Sequence, residues 1–244
     1  MKLIIANWKM YLNPAQSVTL AKQVMAVAPK PRAKVVFCPS FPALFPVAAA
    51  LKRPFLLGAQ DLALADRGAY TGQVSGDDLR ALGCRYVIVG HSERRRYLGE
   101  TDALISQKLA AAFRHYLHPI FCVGESLTQR KRGQARRAVR QQLAAAGRAS
   151  KSVKDNRLTI AYEPVWAIGT GLVARPPEVV IMHRFIRQEA KRLWPARLSV
   201  RVIYGGSVTA KNIGDFLDLP DVQGALIGGA SAKSSFAQII KNIS

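Results

Sequence analysis

The chain has few acidic residues and few cysteines. Its 244 residues contain 15 Asp and Glu against 36 Lys and Arg, which leaves a formal net charge of +21. The three cysteines, Cys38, Cys84 and Cys122, are odd in number and lie outside any CxxC spacing, which argues against a disulfide framework and a zinc site. We expect them to pack in the interior, because free cysteine is among the most buried residue types.

The chain also lacks a long apolar run. No run approaches the roughly 18 residues that a membrane-spanning helix needs. The stretch MKLIIANWKM starts like a signal peptide, but Asn7 and Lys9 end its apolar run well below the length of a signal-peptide core. We therefore expect a cytoplasmic protein with no membrane partner.

The positive charge favours anionic partners, whether phosphorylated metabolites, nucleic acid or acidic membranes. Residues 130–157 contain ten Lys or Arg and one acid, and Arg132, Arg136 and Arg140 recur every four residues. This spacing predicts one basic face on a single helix. Because no Phe, Trp or Tyr lies in residues 122–161, aromatic stacking on bases is not supported, and we expect a solvated face without specific nucleic-acid binding.

Eight β-rich runs alternate with helical patterns, and no linker separates them. The predicted strands begin at Leu3, Lys34, Phe55, Tyr86, Pro119, Leu158, Ser199 and Val222. The clearest predicted helices cover residues 14–28, 101–116, 127–146, 177–193 and 232–243. Nearly continuous apolar strands are typical of parallel sheets buried on both faces. The pattern predicts an α/β protein with one (β/α)₈ barrel domain over residues 1–244, and an open doubly wound sheet is the alternative.

Polar and glycine residues concentrate where these predicted strands end. They are Asn7, Lys9, Gln60, His91, Glu125, Glu163 and the pairs Gly205–Gly206 and Gly228–Gly229. Loops after the strands carry the chemistry of such barrels, so the sequence predicts a functional site at this rim.

Glu163 lies in the stretch AYEPVWAIGTG, directly after a predicted strand. Pro164 restricts its backbone to an extended geometry. The neighbours Tyr162, Trp166 and Ile168 form an environment able to desolvate a carboxylate, which suits a general base. A surface or ion-paired glutamate is the plainer interpretation.

His91 and Lys9 follow two other predicted strands. In the stretch HSER, Ser92 resembles a helix N-cap, and a helix N-terminus beside His91 favours a neutral imidazole that can donate to a carbonyl. Lys9 could supply positive charge where an oxyanion develops. A structural histidine and an exposed lysine are the alternatives.

The glycine pairs follow the last two predicted strands, where barrels of this kind bind phosphate through backbone N–H groups. A competing motif, GTGLVA at residues 169–174, matches a dinucleotide fingerprint. Its first glycine comes six residues after the strand, and Pro176 and Pro177 mark the start of the next helix, so we reject a dinucleotide site.

Five motifs together resemble the triosephosphate isomerase family, in its order and over the whole chain. They are NWKM at residues 7–10, VGHSERR at 89–95, AYEPVWAIGTG at 161–171, YGGSV at 204–208 and IGGAS at 227–231. The resemblance implies that dihydroxyacetone phosphate and glyceraldehyde 3-phosphate interconvert without cofactor or metal.

The resemblance also implies a role for each site residue. Glu163 is the base that moves a proton between C1 and C2, and His91 is the neutral electrophile at the carbonyl oxygens. Asn7 and Lys9 stabilise the enediolate, and Glu93 supports Lys9.

By the same resemblance, backbone N–H groups hold the substrate phosphate, and residues 164–174 form a lid. The phosphate-binding residues are Gly169, Ser207, Gly228 and Gly229. The lid begins at Pro164 and carries Trp166, and Ile168 closes with Leu226 over the carboxylate of Glu163.

The resemblance further implies a homodimer, in which Thr71 reaches the partner subunit. Gln73 and Asp61 replace a usual acid and a usual Asn, and Leu172 stands where the lid hinge commonly has Lys. Another sugar-phosphate isomerase or epimerase, and an inactive barrel that binds polyanions, remain as alternative functions.

Overall fold

The computed structural model describes residues 1–147, 157–170 and 172–243. Within them, eight parallel strands form a closed barrel in chain order. The strands are β1 Leu3–Asn7, β2 Lys34–Cys38, β3 Leu56–Ala59, β4 Tyr86–Val89, β5 His118–Val123, β6 Arg157–Tyr162, β7 Ser199–Tyr204 and β8 Gly224–Ile227. This confirms the predicted (β/α)₈ barrel and rules out the open sheet.

Ten α-helices of the described residues surround the barrel. They are α1 Pro14–Val27, α2 Phe41–Ala50, α3 Gly76–Ala81, α4 Ser92–Leu98, α5 Asp102–Arg114, α6 Leu127–Lys131, α7 Ala135–Gly147, α8 Pro176–Leu193, α9 Ile213–Leu217 and α10 Phe236–Asn242. No helix among the described residues combines the length and apolar character that crossing a membrane requires.

The strands are apolar on both sides because the barrel has two packed layers. Inward-facing side chains such as Ile5, Cys122 and Ile203 fill the barrel, while alternate side chains pack against the helices. The three cysteines are free and buried, as expected. Burial raises the pKa of the Cys84 thiol to about 12, so this thiol stays neutral and packs as a small apolar group.

The prediction of one helix over residues 127–146 is wrong. Helix α6 ends at Lys131, and α7 begins at Ala135, because Gly133 adopts a positive φ of 68° between them. Arg132 therefore does not share a helix face with Arg136 and Arg140. The predicted helix 232–243 also starts late, since a 3₁₀ turn covers Gly229–Ala232 before α10 begins at Phe236.

The basic face predicted on this segment is partly packed. The guanidinium groups of Arg136 and Arg140 lie 5.6 Å and 5.1 Å from the ring centroid of Phe185 on α8, and Arg140 pairs with Glu189 at 3.3 Å. Residues 148–156 of the predicted basic stretch lie outside the described residues.

Four buried or half-buried charges connect the loop after β3 to α4 and α5. Lys108 contacts Asp61 at 2.7 Å and Glu100 at 2.6 Å, and Arg94 contacts the same two carboxylates at 2.7 Å each. Burial raises the pKa of Asp61, and the two cations oppose that effect. Asp61 therefore helps to neutralise Lys108 and Arg94. Loss of any one of these four charged side chains would leave a charge without its partner.

His183 of α8 is fully buried in the outer layer. Its Nδ1–H donates to the carbonyl oxygen of Asp221 at 3.1 Å, and Nε2 has no hydrogen-bond partner among the described residues. Burial, reinforced by the charge of Arg187, lowers the pKa of His183 to about 4. The folded protein therefore keeps this imidazole neutral at a pH where the unfolded chain protonates it.

Replacing His183 should change how stability depends on pH. As pH falls from about 6.5 to about 4, the unfolded chain binds a proton at His183 that the folded protein excludes, so the free energy of unfolding falls. This group contributes up to about 3 kcal/mol of that loss. Urea unfolding across this range should therefore show a flatter profile for His183→Asn than for wild type. Parallel profiles would contradict the assignment.

Candidate active site

Glu163 lies at the carboxyl end of the barrel, one residue beyond β6. Its side chain is 2% exposed, and Oε2 accepts a hydrogen bond from the backbone N–H of Ser92 at 2.9 Å. Backbone N–H groups in the first turn of a helix have no acceptor within the helix, so the N-terminus of α4 favours an anion at this position. Oε1 has no hydrogen-bond partner among the described residues, although His91 Nε2 lies 3.1 Å away.

Two glycines allow the backbone around Glu163 to pack closely. A Cβ on Gly124 would lie 1.6 Å from the carbonyl oxygen of Glu163, and a Cβ on Gly205 would lie 2.9 Å from Glu163 Cγ. Gln142 fixes Gly124 by exchanging two hydrogen bonds with its backbone, at 2.9 Å and 3.0 Å. The sequence analysis placed Gly205 in a predicted phosphate-binding pair, and it missed the steric role of both glycines.

The sequence neighbours expected to desolvate Glu163 enclose a different carboxylate. The hydroxyl of Tyr162 donates to both oxygens of Glu125 at 3.1 Å, and the Trp166 indole donates to Oε1 at 2.8 Å. Tyr162 faces away from the barrel interior because successive strand side chains alternate in direction. Glu163 is instead buried by residues at the carboxyl end of the barrel.

Glu125 and its donors form a fixed support beneath the first turn of the predicted lid. Glu125 is fully buried; burial raises its pKa, and the bonds from Trp166 and Tyr162 oppose the effect. The guanidinium of Arg130 lies 4.2 Å from the Trp166 ring centroid and pairs with Glu178 at 2.9 Å. The Tyr162 hydroxyl, shared between the two oxygens, and the Trp166 indole thus hold Glu125 in one orientation, which suits a structural support.

His91, rather than Ser92, is the N-cap of α4, which corrects the sequence prediction by one residue. Its Nδ1 accepts a hydrogen bond from the backbone N–H of Glu93 at 3.2 Å. The acceptor role leaves Nδ1 without a proton, so the neutral ring carries its proton on Nε2, the atom that faces Glu163.

Lys9 is held in one position by its neighbours. Its φ of 47° is uncommon for a residue other than glycine, and its Nζ forms an ion pair with Glu93. Gln60 donates to the carbonyl oxygen of Lys9 at 2.8 Å, and Asn7 Oδ1 accepts from the Lys9 N–H at 3.1 Å. The ammonium group is therefore fixed at the rim.

The glycine-rich rim completes a cleft of about 950 Å³. Of the predicted site residues, the cleft is lined by Asn7, Lys9, His91, Glu93, Glu163, Ile168, Gly169, Ser207, Leu226, Gly228 and Gly229. Pro164, Trp166 and Thr71 do not line it. The cleft also contains Tyr11, Arg96 and Lys233, which sequence reasoning missed although each lies within four residues of a motif.

The comparisons with known proteins agree with this geometry. A model of the family described as triosephosphate isomerase matches residues 2–243. The chain belongs to the triosephosphate isomerase family. Among its curated relatives are proteins named "Triosephosphate isomerase" from Moorella thermoacetica and Carboxydothermus hydrogenoformans, which are 45% and 44% identical and align over 98% of this chain and 97% of their own. A relative of the same name from Thermus thermophilus is 42% identical over the same shares.

In this member of the triosephosphate isomerase family, the predicted lid starts as a 3₁₀ turn, Val165–Ala167. Gly169 adopts a φ of 70°, and Ser207 Oγ donates to the carbonyl oxygen of Ala167 at 2.5 Å. Helix α8 begins at Pro176, not at the lid glycines, so rejection of the dinucleotide motif is confirmed. Leu172 is 52% exposed, and Gly171 lies outside the described residues.

The substitution Gly205→Ala, which adds one methyl group beside the Glu163 side chain, should lower kcat. In Gly205→Ala the new Cβ would lie 2.9 Å from Glu163 Cγ and 3.2 Å from the carbonyl oxygen of Tyr162, so the carboxylate must shift. A displacement of this order costs about a hundredfold in rate, and kcat in an isomerase assay should fall by that much. The matched variant Gly214→Ala, whose Cβ meets nothing closer than 3.7 Å, should keep wild-type kcat. Equal kcat values for both variants would contradict the steric role of Gly205.

Proposed function

We propose that this chain interconverts dihydroxyacetone phosphate and D-glyceraldehyde 3-phosphate through an enediolate, with Glu163 as base and His91 as electrophile. One observation carries the proposal: inside a glycine-rimmed cleft, a buried Glu163 oxygen that has no hydrogen-bond partner among the described residues lies 3.1 Å from Nε2 of His91, whose Nδ1 accepts a backbone hydrogen bond. Family membership and the names of the relatives support it. A cytoplasmic location stays a prediction.

Glu163 takes a proton from C1 and returns it to C2. Oε1, which accepts no hydrogen bond from the described residues, has a lone pair for that proton, while the Ser92 N–H holds Oε2 in the unliganded protein. Since Nε2 of His91 lies 3.1 Å from Oε1, a substrate oxygen that binds Nε2 must displace this contact. Substrate binding therefore moves the carboxylate from the imidazole towards the substrate carbon.

His91 acts on the substrate oxygens as that proton moves. Its neutral Nε2–H donates to the carbonyl oxygen as negative charge develops there, and Lys9 and Asn7 stabilise the same charge. The ion pair with Glu93 already holds Lys9 in place, so Lys9 stabilises the developing charge without first having to move.

The rim residues hold the phosphate, and the lid excludes water. Backbone N–H groups of Gly169, Ser207, Gly228 and Gly229 bind the phosphate in this proposal. The lid starts at Pro164, and its Trp166 is anchored on Glu125, so closure moves Ile168 towards Leu226 over Glu163. A closed cleft protects the enediolate from side reactions with water.

Removing the base should abolish most of the activity. Glu163→Gln keeps the size of the side chain but cannot accept the proton, so kcat should fall about a thousandfold, within the usual range for loss of a general base. A coupled assay with glyceraldehyde 3-phosphate measures this effect. Glu189→Gln on α8, which removes a carboxylate far from the cleft, should keep wild-type kcat. An inactive wild type, or undiminished activity in Glu163→Gln, would overturn the proposal.

The proposal includes a homodimer, supported by large apolar side chains that are exposed in the segments after β1 to β4. They are Met10, Tyr11, Phe45, Tyr70, Tyr97 and Leu98. In this proposal the six side chains form one apolar patch, which a second copy of the chain covers. Thr71 follows Tyr70 directly, so the predicted dimer contact lies on the same loop as one of them.

Placing a charge in the patch should dissociate the dimer. Wild type should sediment as a dimer, and Leu98→Asp should shift sedimentation towards the monomer, because burying an unpaired carboxylate costs several kcal/mol. Ile181→Asp makes the same kind of change at a site on α8 that is 52% exposed, and it should stay dimeric. A monomeric wild type would contradict the proposed dimer.

A further inference from the structure

The amino-terminal end of the barrel, opposite the candidate active site, is densely cationic. All eight strands are parallel, so the segments that lead into them meet at this end. Those segments and the first residues of the strands carry a set of cations that we name the basic end: Lys2, Lys30, Arg32, Lys34, Lys52, Arg53, Arg85, Arg197 and Arg201. Among the described residues of the same segments, Asp218 and Asp221 are the acidic ones.

Five of these nine cations have no acidic partner among the residues that the structure describes. Within the described part of the chain, no ion pair involves Arg32, Lys52, Arg53, Arg85 or Arg201. Asp221 is occupied by two arginines of α8, at 2.8 Å and 3.4 Å. Like charges gathered without partners repel one another, and a bound polyanion would relieve that repulsion.

Some cations elsewhere on the protein are held in place. At the opposite end, Lys9 pairs with Glu93 and Arg95 pairs with Asp102 at 2.6 Å. On α6 and α7, Arg130 stacks on Trp166 and Arg140 pairs with Glu189. Lys131, Arg137 and Lys191 form no ion pair among the described residues, so the clefts described next, rather than free charge alone, distinguish the basic end.

Two clefts open at the basic end. One, of about 720 Å³, is lined by Lys2, Arg32, Arg201 and Lys211, with Asp218 as its one acid among the described residues. The other, of about 490 Å³, is lined by Lys52, Arg53 and Arg85, and no described acid lines it. Arg32, Arg53 and Arg85 precede the adjacent strands β2, β3 and β4, so the clefts lie side by side along the barrel rim.

We propose that the basic end binds the phosphate backbone of duplex nucleic acid without sequence preference. Two adjacent cationic clefts match the regularly spaced charges of a duplex backbone better than they match one small anion. No described aromatic residue lines the first cleft, and Phe55 in the second is only 4% exposed, so stacking on unpaired bases is disfavoured. Binding at this end leaves the candidate active site open at the other.

A pair of charge-matched variants tests the location. The first combines Arg32→Gln, Lys52→Gln and Arg85→Gln, which are exposed residues of both clefts. The control combines Lys131→Gln, Arg137→Gln and Lys191→Gln, which are exposed on α6, α7 and α8. Each triple lowers the net charge by three, from +21 to +18.

Fluorescence anisotropy of a labelled DNA duplex, titrated at several salt concentrations, gives the readout. Wild type should bind at low salt and weaken as salt rises. The basic-end triple should bind at least about tenfold more weakly at low salt, and its salt slope should shrink by about 2.7, or about 0.9 for each lost phosphate contact. The control triple should stay within about twofold of wild type.

Three outcomes would overturn the proposal. They are no duplex binding by wild type at low salt, equal weakening in both triples, and binding to vesicles of anionic phospholipid, but not to the duplex, that is lost in the basic-end triple. Circular dichroism and the isomerase assay confirm that each variant is folded. Since the binding test needs no turnover, its failure leaves the proposed isomerase function unaffected.

Discussion

Closure of the barrel between β1 and β8 is the constraint on which the other features depend. Leu3 pairs with Gly224, where a Cβ would lie 1.9 Å from the Leu3 carbonyl oxygen, so the strands close only around a residue without a side chain. Closure leaves no open edge, and parallel strands then collect all their carboxyl ends at one rim. Residues as distant in sequence as Lys9, His91 and Glu163 come together there because their strands end at the same level.

Two buried carboxylates at this rim, Glu125 and Glu163, differ in the hydrogen bonds that they accept. Glu125 accepts bonds from Tyr162 and Trp166 on both of its oxygens, which fixes it as a support for the lid. Glu163 accepts the Ser92 N–H on one oxygen, and its other oxygen, beside His91, has no hydrogen-bond partner among the described residues. A carboxylate held on both oxygens is fixed in place, whereas one with a free oxygen can turn towards a substrate and accept a proton. Both side chains are buried, so burial by itself does not show which of the two supports the lid and which is suited to accept a proton.

The cations also differ in their partners between the two ends of the barrel. At the carboxyl end and on the outer helices, cations such as Lys9, Lys108 and Arg130 are held by carboxylates in fixed geometry. At the amino-terminal end, the chain has few acids to pair with residues such as Arg32 and Arg85. Among the described residues, the net charge of +21 therefore includes cations that carboxylates hold in place at the candidate site and cations without an ion pair where the strands begin.

The sequence by itself predicted the barrel, with an open sheet as the alternative, and the residues of the candidate site. Apolar runs and helical periods are local signals, and strand ends place Glu163 and His91 at one rim whatever the details of packing. Only the tertiary structure decided which carboxylate Tyr162 and Trp166 contact, that His91 caps α4, and that Gly133 breaks the basic helix. The reason is physical: a local pattern encodes period and burial, but the partner of a side chain depends on strand register and closure, which bring together residues that no local pattern relates.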